Sequence, residues 1–163
     1  MNYNESEIDA GIRDLVNLIN KIPFVKTNSS CEGHVENPYA REAPITPDMD
    51  EVLIRSGGLS FYVDGQLDVS ELPKITIDHF NHPLAEEFLS RLEKLTKKYP
   101  FTELRLLNAY NSKEPKPDYY FRIWNDGRAP YAVGMERKKQ MGEVWTDVEK
   151  LCRDFIDEFG LGN

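Results

Sequence analysis

The sequence has few of the features that mark secreted, membrane or nucleic-acid-binding proteins. It contains two cysteines in 163 residues, far apart in the chain, which excludes the disulfide framework of small secreted domains. No hydrophobic run approaches the roughly 20 apolar residues that a membrane-spanning helix needs. Residues 1–6 are polar and acidic, unlike a secretory signal. These features predict a cytoplasmic protein with no membrane segment.

Basic residues are outnumbered by acidic ones, 20 to 28, which gives a formal net charge of -8. Binding to nucleic acid in general depends on Lys and Arg side chains that neutralise phosphates, so this charge disfavours it. A local basic patch that faces a structured RNA is still compatible with the composition, although the charge disfavours RNA as a partner. The small residues at 29–33 indicate instead a small-molecule or anionic ligand.

The length and composition suit one compact domain over residues 1–163, because 40% of the residues are hydrophobic and no repeat or linker divides the chain. Apolar residues at helical spacing predict a first helix over residues 6–21, which stops before Pro23. A second helix is predicted to begin at Pro83. A final helix is predicted from the apolar stripe that runs from Val144 to Phe159, and it stops at Gly160. Cys152 lies within that stripe and is predicted to be a small buried residue.

Strands are predicted where apolar and polar residues alternate, at residues 24–27, 59–63, 74–80, 103–110 and 118–124. Residues 36–48 contain three prolines and form a loop long enough to act as a lid or binding loop. Residues 46–57 fit a short helix or a strand at 52–54 equally well. The resulting order predicts an α+β fold, with one mostly antiparallel or mixed sheet of about five strands and three main helices packed on it.

The three histidines and one cysteine fall into two pairs with the same spacing, Cys31-x-x-His34 and His79-x-x-His82. A two-residue spacer lets two side chains from one tight turn point at a common centre. The first pair lies in the string Ser-Ser-Cys-Glu-Gly-His, directly after the strand at residues 24–27. This arrangement makes the string the first place to look for function.

The small residues of this string predict a tight turn that binds an anion. Gly33 permits a positive φ, and the hydroxyls of Ser29 and Ser30 can hydrogen-bond their own main chain. Such a turn exposes several backbone N–H groups together, as a nest for a phosphate or carboxylate. Cys31 and His34 would stand at its rim.

Three functional interpretations of the string remain open, beside an ordinary tight turn with a solvated histidine. In the first, its backbone binds a cofactor or substrate that Cys31 and His34 contact. In the second, zinc is held by Cys31, His34, His79 and His82, which have the ligand types and number of a closed tetrahedral site. In the third, Cys31 is a catalytic nucleophile activated by His34 or His79.

A family resemblance covers the first 65 residues. The chain begins with an N-terminal helix and a short strand. These are followed by the Ser-Ser-Cys-x-Gly turn at residues 29–33 and a Gly-Gly strand at residues 57–63. In this order they resemble the family of the third wybutosine-synthesising enzyme, a tRNA-modifying methyltransferase that uses S-adenosylmethionine. The resemblance implies that Ser29, Ser30, Cys31 and Gly33 line the cofactor or substrate pocket. No glycine-rich Rossmann fingerprint is present, so the methyl donor would bind in the family's own way.

A protein-interaction module is a further alternative. The strand at residues 118–124 places Tyr120, Arg122 and Trp124 on one face, opposite Phe121 and Ile123. Aromatic rings beside an arginine on an exposed sheet face form a surface suited to a protein partner or to stacking of bases.

Overall fold

The computed structural model describes residues 10–63, 83–108, 118–124 and 127–161. The helices are α1 (Arg13–Ile19), α2 (Pro83–Lys98) and α3 (Tyr131–Phe159), and a 3-10 helix (Ala10–Ile12) precedes α1. The strands are β1 (Val25–Cys31), β2 (His34–Glu36), β3 (Val52–Arg55), β4 (Gly57–Val63), β5 (Thr102–Asn108), β6 (Asp118–Ile123) and β7 (Gly127–Ala129). The predicted α+β class with three main helices is confirmed.

These strands form two antiparallel sheets, one of four strands in the order β1-β4-β6-β5 and one of three in the order β2-β3-β7. The prediction of a single sheet of about five strands missed this division. The ambiguous residues 46–57 contain β3 and the start of β4, so the strand alternative is the one observed. The strand predicted at residues 74–80 lies outside the described residues.

β1 and β2 follow each other along the chain with a bend between them; β1 pairs with β4, and β2 pairs with β3. Cys31 pairs with Gly58 in the larger sheet, and His34 pairs with Arg55 in the smaller one. The bend between them contains Gly33, which has a φ of 84°. This arrangement corrects the predicted turn: Ser29, Ser30 and Cys31 belong to a strand paired with β4, and only Glu32 and Gly33 form the turn.

A second glycine at the bend is required by the close approach of the two chains. A Cβ atom at Gly57 would lie 2.8 Å from the carbonyl oxygen of Glu32. The obstructing atom belongs to the main chain, so it cannot move aside as the end of a flexible side chain could. The Gly-Gly sequence at the start of β4 therefore serves the sheet geometry directly.

One hydrophobic core joins the helices to the inner face of the sheets. At its centre four phenylalanine rings meet edge to face with centroids 5.4–6.3 Å apart, a favourable aromatic geometry. They are Phe24, Phe61, Phe88 and Phe155.

Two local predictions for the C-terminal half are confirmed. Cys152 is fully buried in the stripe of α3, and Gly160 ends that helix in the left-handed conformation with a φ of 63°. In β6, Tyr119, Phe121 and Ile123 are buried while the intervening residues face away from the core. Within the described ranges, no helix combines the length and apolar character that crossing a membrane demands.

Candidate ligand-binding site

The Glu32–Gly33 turn rests on the middle of α3. The indole Nε1 of Trp145 donates a hydrogen bond of 2.7 Å to the main-chain carbonyl of Glu32. Gly33 lies under Met141, so closely that a Cβ atom there would be 2.6 Å from the methionine sulfur. The turn is therefore positioned by side chains more than 100 residues away in the sequence, and Gly33 is needed both for its φ and for this contact.

A cavity of about 460 Å³ opens between the turn and α3, and we call it the turn cavity. This volume lies within the range of small-molecule sites, about 300–1,000 Å³. Its lining combines apolar and charged side chains. The residues of the turn side are Gly11, Leu15, Glu32, Gly33, His34 and Val35, and those of α3 are Lys138, Met141, Gly142, Trp145, Thr146 and Glu149.

The polar groups of the turn cavity carry both signs of charge. The His34 Nδ1 atom lies 3.9 Å from a Glu32 carboxylate oxygen, and each side chain is 32% exposed. That separation is longer than a hydrogen bond. Lys138 and Glu149 contribute one cation and one further anion from α3. The cavity can therefore accommodate both an anionic and a cationic group of one ligand.

A second cavity, which we call the cysteine cavity, shares His34 with the turn cavity and has a volume of about 560 Å³. Cys31, His34 and Arg55 are among its lining residues. The Cys31 thiol points at the main-chain oxygen of Ser56, with the sulfur 3.8 Å from it. Cys31 and His34 thus both line this cavity.

Arginine side chains give the cysteine cavity its electrostatic character. Arg55 donates a 2.6 Å hydrogen bond to the buried carboxylate of Glu36, and Arg41, which is 76% exposed, lies 3.4 Å from the same carboxylate. Burial acts to raise the pKa of Glu36, but the hydrogen bond from Arg55 and the charges of both arginines outweigh it, so the pKa is lowered. One carboxylate therefore faces two guanidinium groups at the wall of this cavity.

The structure distributes the predicted pocket residues over three places. Ser30 and Cys31 line the cysteine cavity, Gly33 lines the turn cavity, and His34 lines both. Ser29 lies in a separate cleft on the outer face of the larger sheet, where its hydroxyl is 2.6 Å from that of Ser60. The predicted single pocket is thus a pair of adjoining cavities around His34, and Ser29 belongs to neither.

The zinc prediction remains a prediction. His79 and His82 lie outside the described residues, so their distance from Cys31 and His34 is not tested. Within the described parts of the chain, no group of three or more His, Cys, Asp or Glu side chains could hold a metal ion. Metal analysis of the protein purified without a His tag would decide it, since the four-ligand site requires close to one zinc per chain.

Sequence reasoning missed the α3 side of the site. Lys138, Met141 and Trp145 lie on a helix whose stripe predicts core packing. The usable signal was Trp145 itself, because a buried indole N–H needs an acceptor and therefore indicates a polar contact within the stripe.

No protein-family model matches the chain, and no curated protein matches it. A solved structure, that of the PH1069 protein from Pyrococcus horikoshii, aligns with a TM-score of 0.45 and 12% sequence identity, over 98% of this chain and 87% of that one.

Proposed function

We propose that the protein binds a small-molecule ligand in the turn cavity, and that this ligand is S-adenosylmethionine, which would make the protein a methyltransferase-like enzyme. The observation that carries the proposal is the 460 Å³ cavity between the turn and α3. The resemblance of residues 29–33 and 57–63 to a methyltransferase family supports the choice of ligand. The composition favours the cytoplasm, where the free thiols of Cys31 and Cys152 would stay reduced.

The chemistry of the turn cavity suits this donor. Its amino-acid part carries a carboxylate and an ammonium group, for which Lys138 and Glu149 offer opposite charges on one helix. The carboxylate of Glu32 suits the positive sulfonium centre. Met141 and Trp145 supply apolar surface for the remainder of the molecule.

In the proposed reaction, an N–H or O–H group of the acceptor attacks the methyl carbon of the donor. A bond forms from the acceptor atom to this carbon while the carbon–sulfur bond breaks, and the sulfonium becomes a neutral thioether. The acceptor then loses its proton, and we assign His34, which lines both cavities, as the base that receives it. The acceptor would enter through the cysteine cavity, where Cys31 and the two arginines contact it. An acceptor that carries phosphate, such as a structured RNA, would suit those arginines.

Isothermal titration with S-adenosylmethionine tests the binding step directly. Gly142→Leu places a bulky side chain in the turn cavity, and leucine favours the helix at this exposed position. We expect it to weaken binding at least about tenfold, since a filled cavity excludes the ligand. The matched control, Ser90→Leu, puts the same side chain on the exposed face of α2 and should bind like the wild type.

Thermal unfolding provides a second readout. Donor at 100 times its dissociation constant should stabilise the protein by about 2.7 kcal/mol. An absence of saturable binding at millimolar donor would refute the proposal. Equal affinities in the wild type and the Gly142→Leu variant would place the donor elsewhere on the protein.

A further inference from the structure

A polar cleft of about 430 Å³ lies on the outer face of the four-stranded sheet, on the side away from the core, and we call it the sheet cleft. Its position follows from the alternation in β6, where Asp118, Tyr120 and Arg122 face outward between buried residues. Glu103 and Arg105 on the neighbouring strand β5 complete its charged wall.

The floor of the sheet cleft is made of small residues on the central strand β4. The Ser60 side chain is only 4% exposed and its hydroxyl pairs with that of Ser29. The Tyr120 ring lies flat against Gly58, where a Cβ atom would be 2.3 Å from the tyrosine oxygen. The absence of a side chain at Gly58 therefore makes room for the Tyr120 ring.

Three charged groups in the sheet cleft have buried atoms without hydrogen-bond partners among the described residues: Glu103 Oε1, Asp118 Oδ1 and Arg122 Nε. Glu103 and Arg122 are directly opposite in register, yet no ion pair joins them in this part of the chain. The Arg122 guanidinium instead lies 3.7 Å from the centre of the Trp124 ring. Because buried polar groups are normally paired, this combination indicates a site that awaits a polar ligand.

The spacing of these groups defines the ligand. A cross-strand pair such as Glu103 and Arg122 brings an acceptor and a donor within about 5 Å at the Cβ atoms, a match for the adjacent ammonium and carboxylate of an α-amino acid. Asp118 lies four residues along β6, about 13 Å away at the backbone. Its Oδ2 atom accepts a 3.4 Å hydrogen bond from Asn28 Nδ2, which leaves Oδ1 for a donor at the far end of the same ligand.

We infer that the sheet cleft binds a basic α-amino acid of the lysine type. Its ammonium contacts Glu103, its carboxylate contacts Arg122, and its terminal amine contacts Asp118. The site is separate from the turn cavity and does not depend on the function proposed for that cavity.

Isothermal titration with three probes tests this assignment. L-lysine carries all three groups, norleucine lacks the terminal amine, and cadaverine lacks the carboxylate. We expect L-lysine to bind at least tenfold more tightly than either of the other two. Equal binding of L-lysine and norleucine would overturn the inference. So would the absence of saturable binding of L-lysine at about 10 mM, a concentration that would reveal even a weak site.

Substitutions locate the binding on the protein. Asp118→Asn should weaken L-lysine at least tenfold and leave norleucine unchanged, while Glu103→Gln should weaken both. The control is Asp154→Asn, which removes the same charge from an exposed lysine pair on α3 and should change neither affinity. L-lysine binding that is insensitive to Asp118→Asn would contradict the assignment. If that variant fails to fold, the three-probe comparison on the wild type still decides the question.

Discussion

The indole N–H of Trp145 and the main-chain carbonyl of Glu32 are hydrogen-bonded at 2.7 Å across a sequence separation of 113 residues. This bond fixes α3 against the point where the chain passes from the larger sheet to the smaller one. Trp145 is 6% exposed and its ring also packs on Phe121, so the indole occupies one defined position. Both a hydrogen bond and core packing therefore position this wall of the turn cavity.

Replacing Trp145 with phenylalanine should lower the free energy of unfolding by about 1–3 kcal/mol, because a buried hydrogen bond and part of the ring packing are lost together. Urea unfolding followed by circular dichroism measures the effect. The matched control is Trp124→Phe, at a ring that is 40% exposed, where the change should stay within about 0.5 kcal/mol. Equal losses in the two variants would mean that the Trp145 bond does not stabilise the turn.

Two glycines of α3 should respond in opposite directions to alanine. A Cβ atom at Gly134 would lie 2.3 Å from a methyl group of Val52, whereas one at Gly142 would meet nothing within 4 Å. We expect Gly134→Ala to destabilise by about 1–2 kcal/mol through overpacking. Gly142→Ala should stabilise by about 0.5–1 kcal/mol, because alanine favours the helix. Thermal unfolding measures both, and a gain in stability with Gly134→Ala would contradict the packing described between α3 and β3.

The parts of the fold that follow from local periodicity were predictable from the sequence. The stripe of α3, its end at Gly160 and the alternation in β6 each depend on residues close together in the chain. The predicted turn at Ser29 was wrong because the structure there depends on pairing with a strand that is distant in the chain. Serine favours turns because its hydroxyl can hydrogen-bond the nearby main chain, but pairing with β4 overrides this preference and extends β1 to Cys31.

The candidate site was predictable only on one side. Cys31 and His34 could be selected because their spacing and their residue types are visible locally. The α3 side, with Lys138 and Trp145, could not, since it reaches the turn through a tertiary contact that no local pattern encodes. The division into two sheets has the same origin, because β7 is a three-residue strand defined by its partner β3.

The two thiols should differ strongly in reactivity. Cys31 is half-buried at the cysteine cavity, while Cys152 is fully buried and its burial, with the nearby Glu149 charge, raises its pKa to about 12. We expect native protein to react with a disulfide reagent at one fast thiol, and Cys152 to react at least about a hundredfold more slowly until urea is added. Cys31→Ser should abolish the fast phase, and Cys152→Ala should leave it unchanged. Two equally fast thiols in native protein would contradict the burial of Cys152.

Asp147 makes a pH-dependent link between α3 and the end of α2. It accepts hydrogen bonds from Lys98 Nζ at 2.7 Å and from the Tyr99 hydroxyl at 2.5 Å. These bonds, that of Lys98 first, lower the pKa of Asp147 below its model-compound value of 3.8, against the effect of partial burial.

Because the folded-state pKa is the lower one, the carboxylate stabilises the protein above pH 3.8, and this contribution is lost as the pH falls through the lowered value. Wild type should therefore be more stable than Asp147→Asn at pH 7, and the difference should be smaller at pH 2. Urea unfolding at the two pH values measures it. Asp154→Asn, at an exposed pair on the same helix, should show little difference at either pH. A gap between wild type and Asp147→Asn that persists undiminished in acid would show that the loss comes from packing, and that the charge of Asp147 is not what joins the helices.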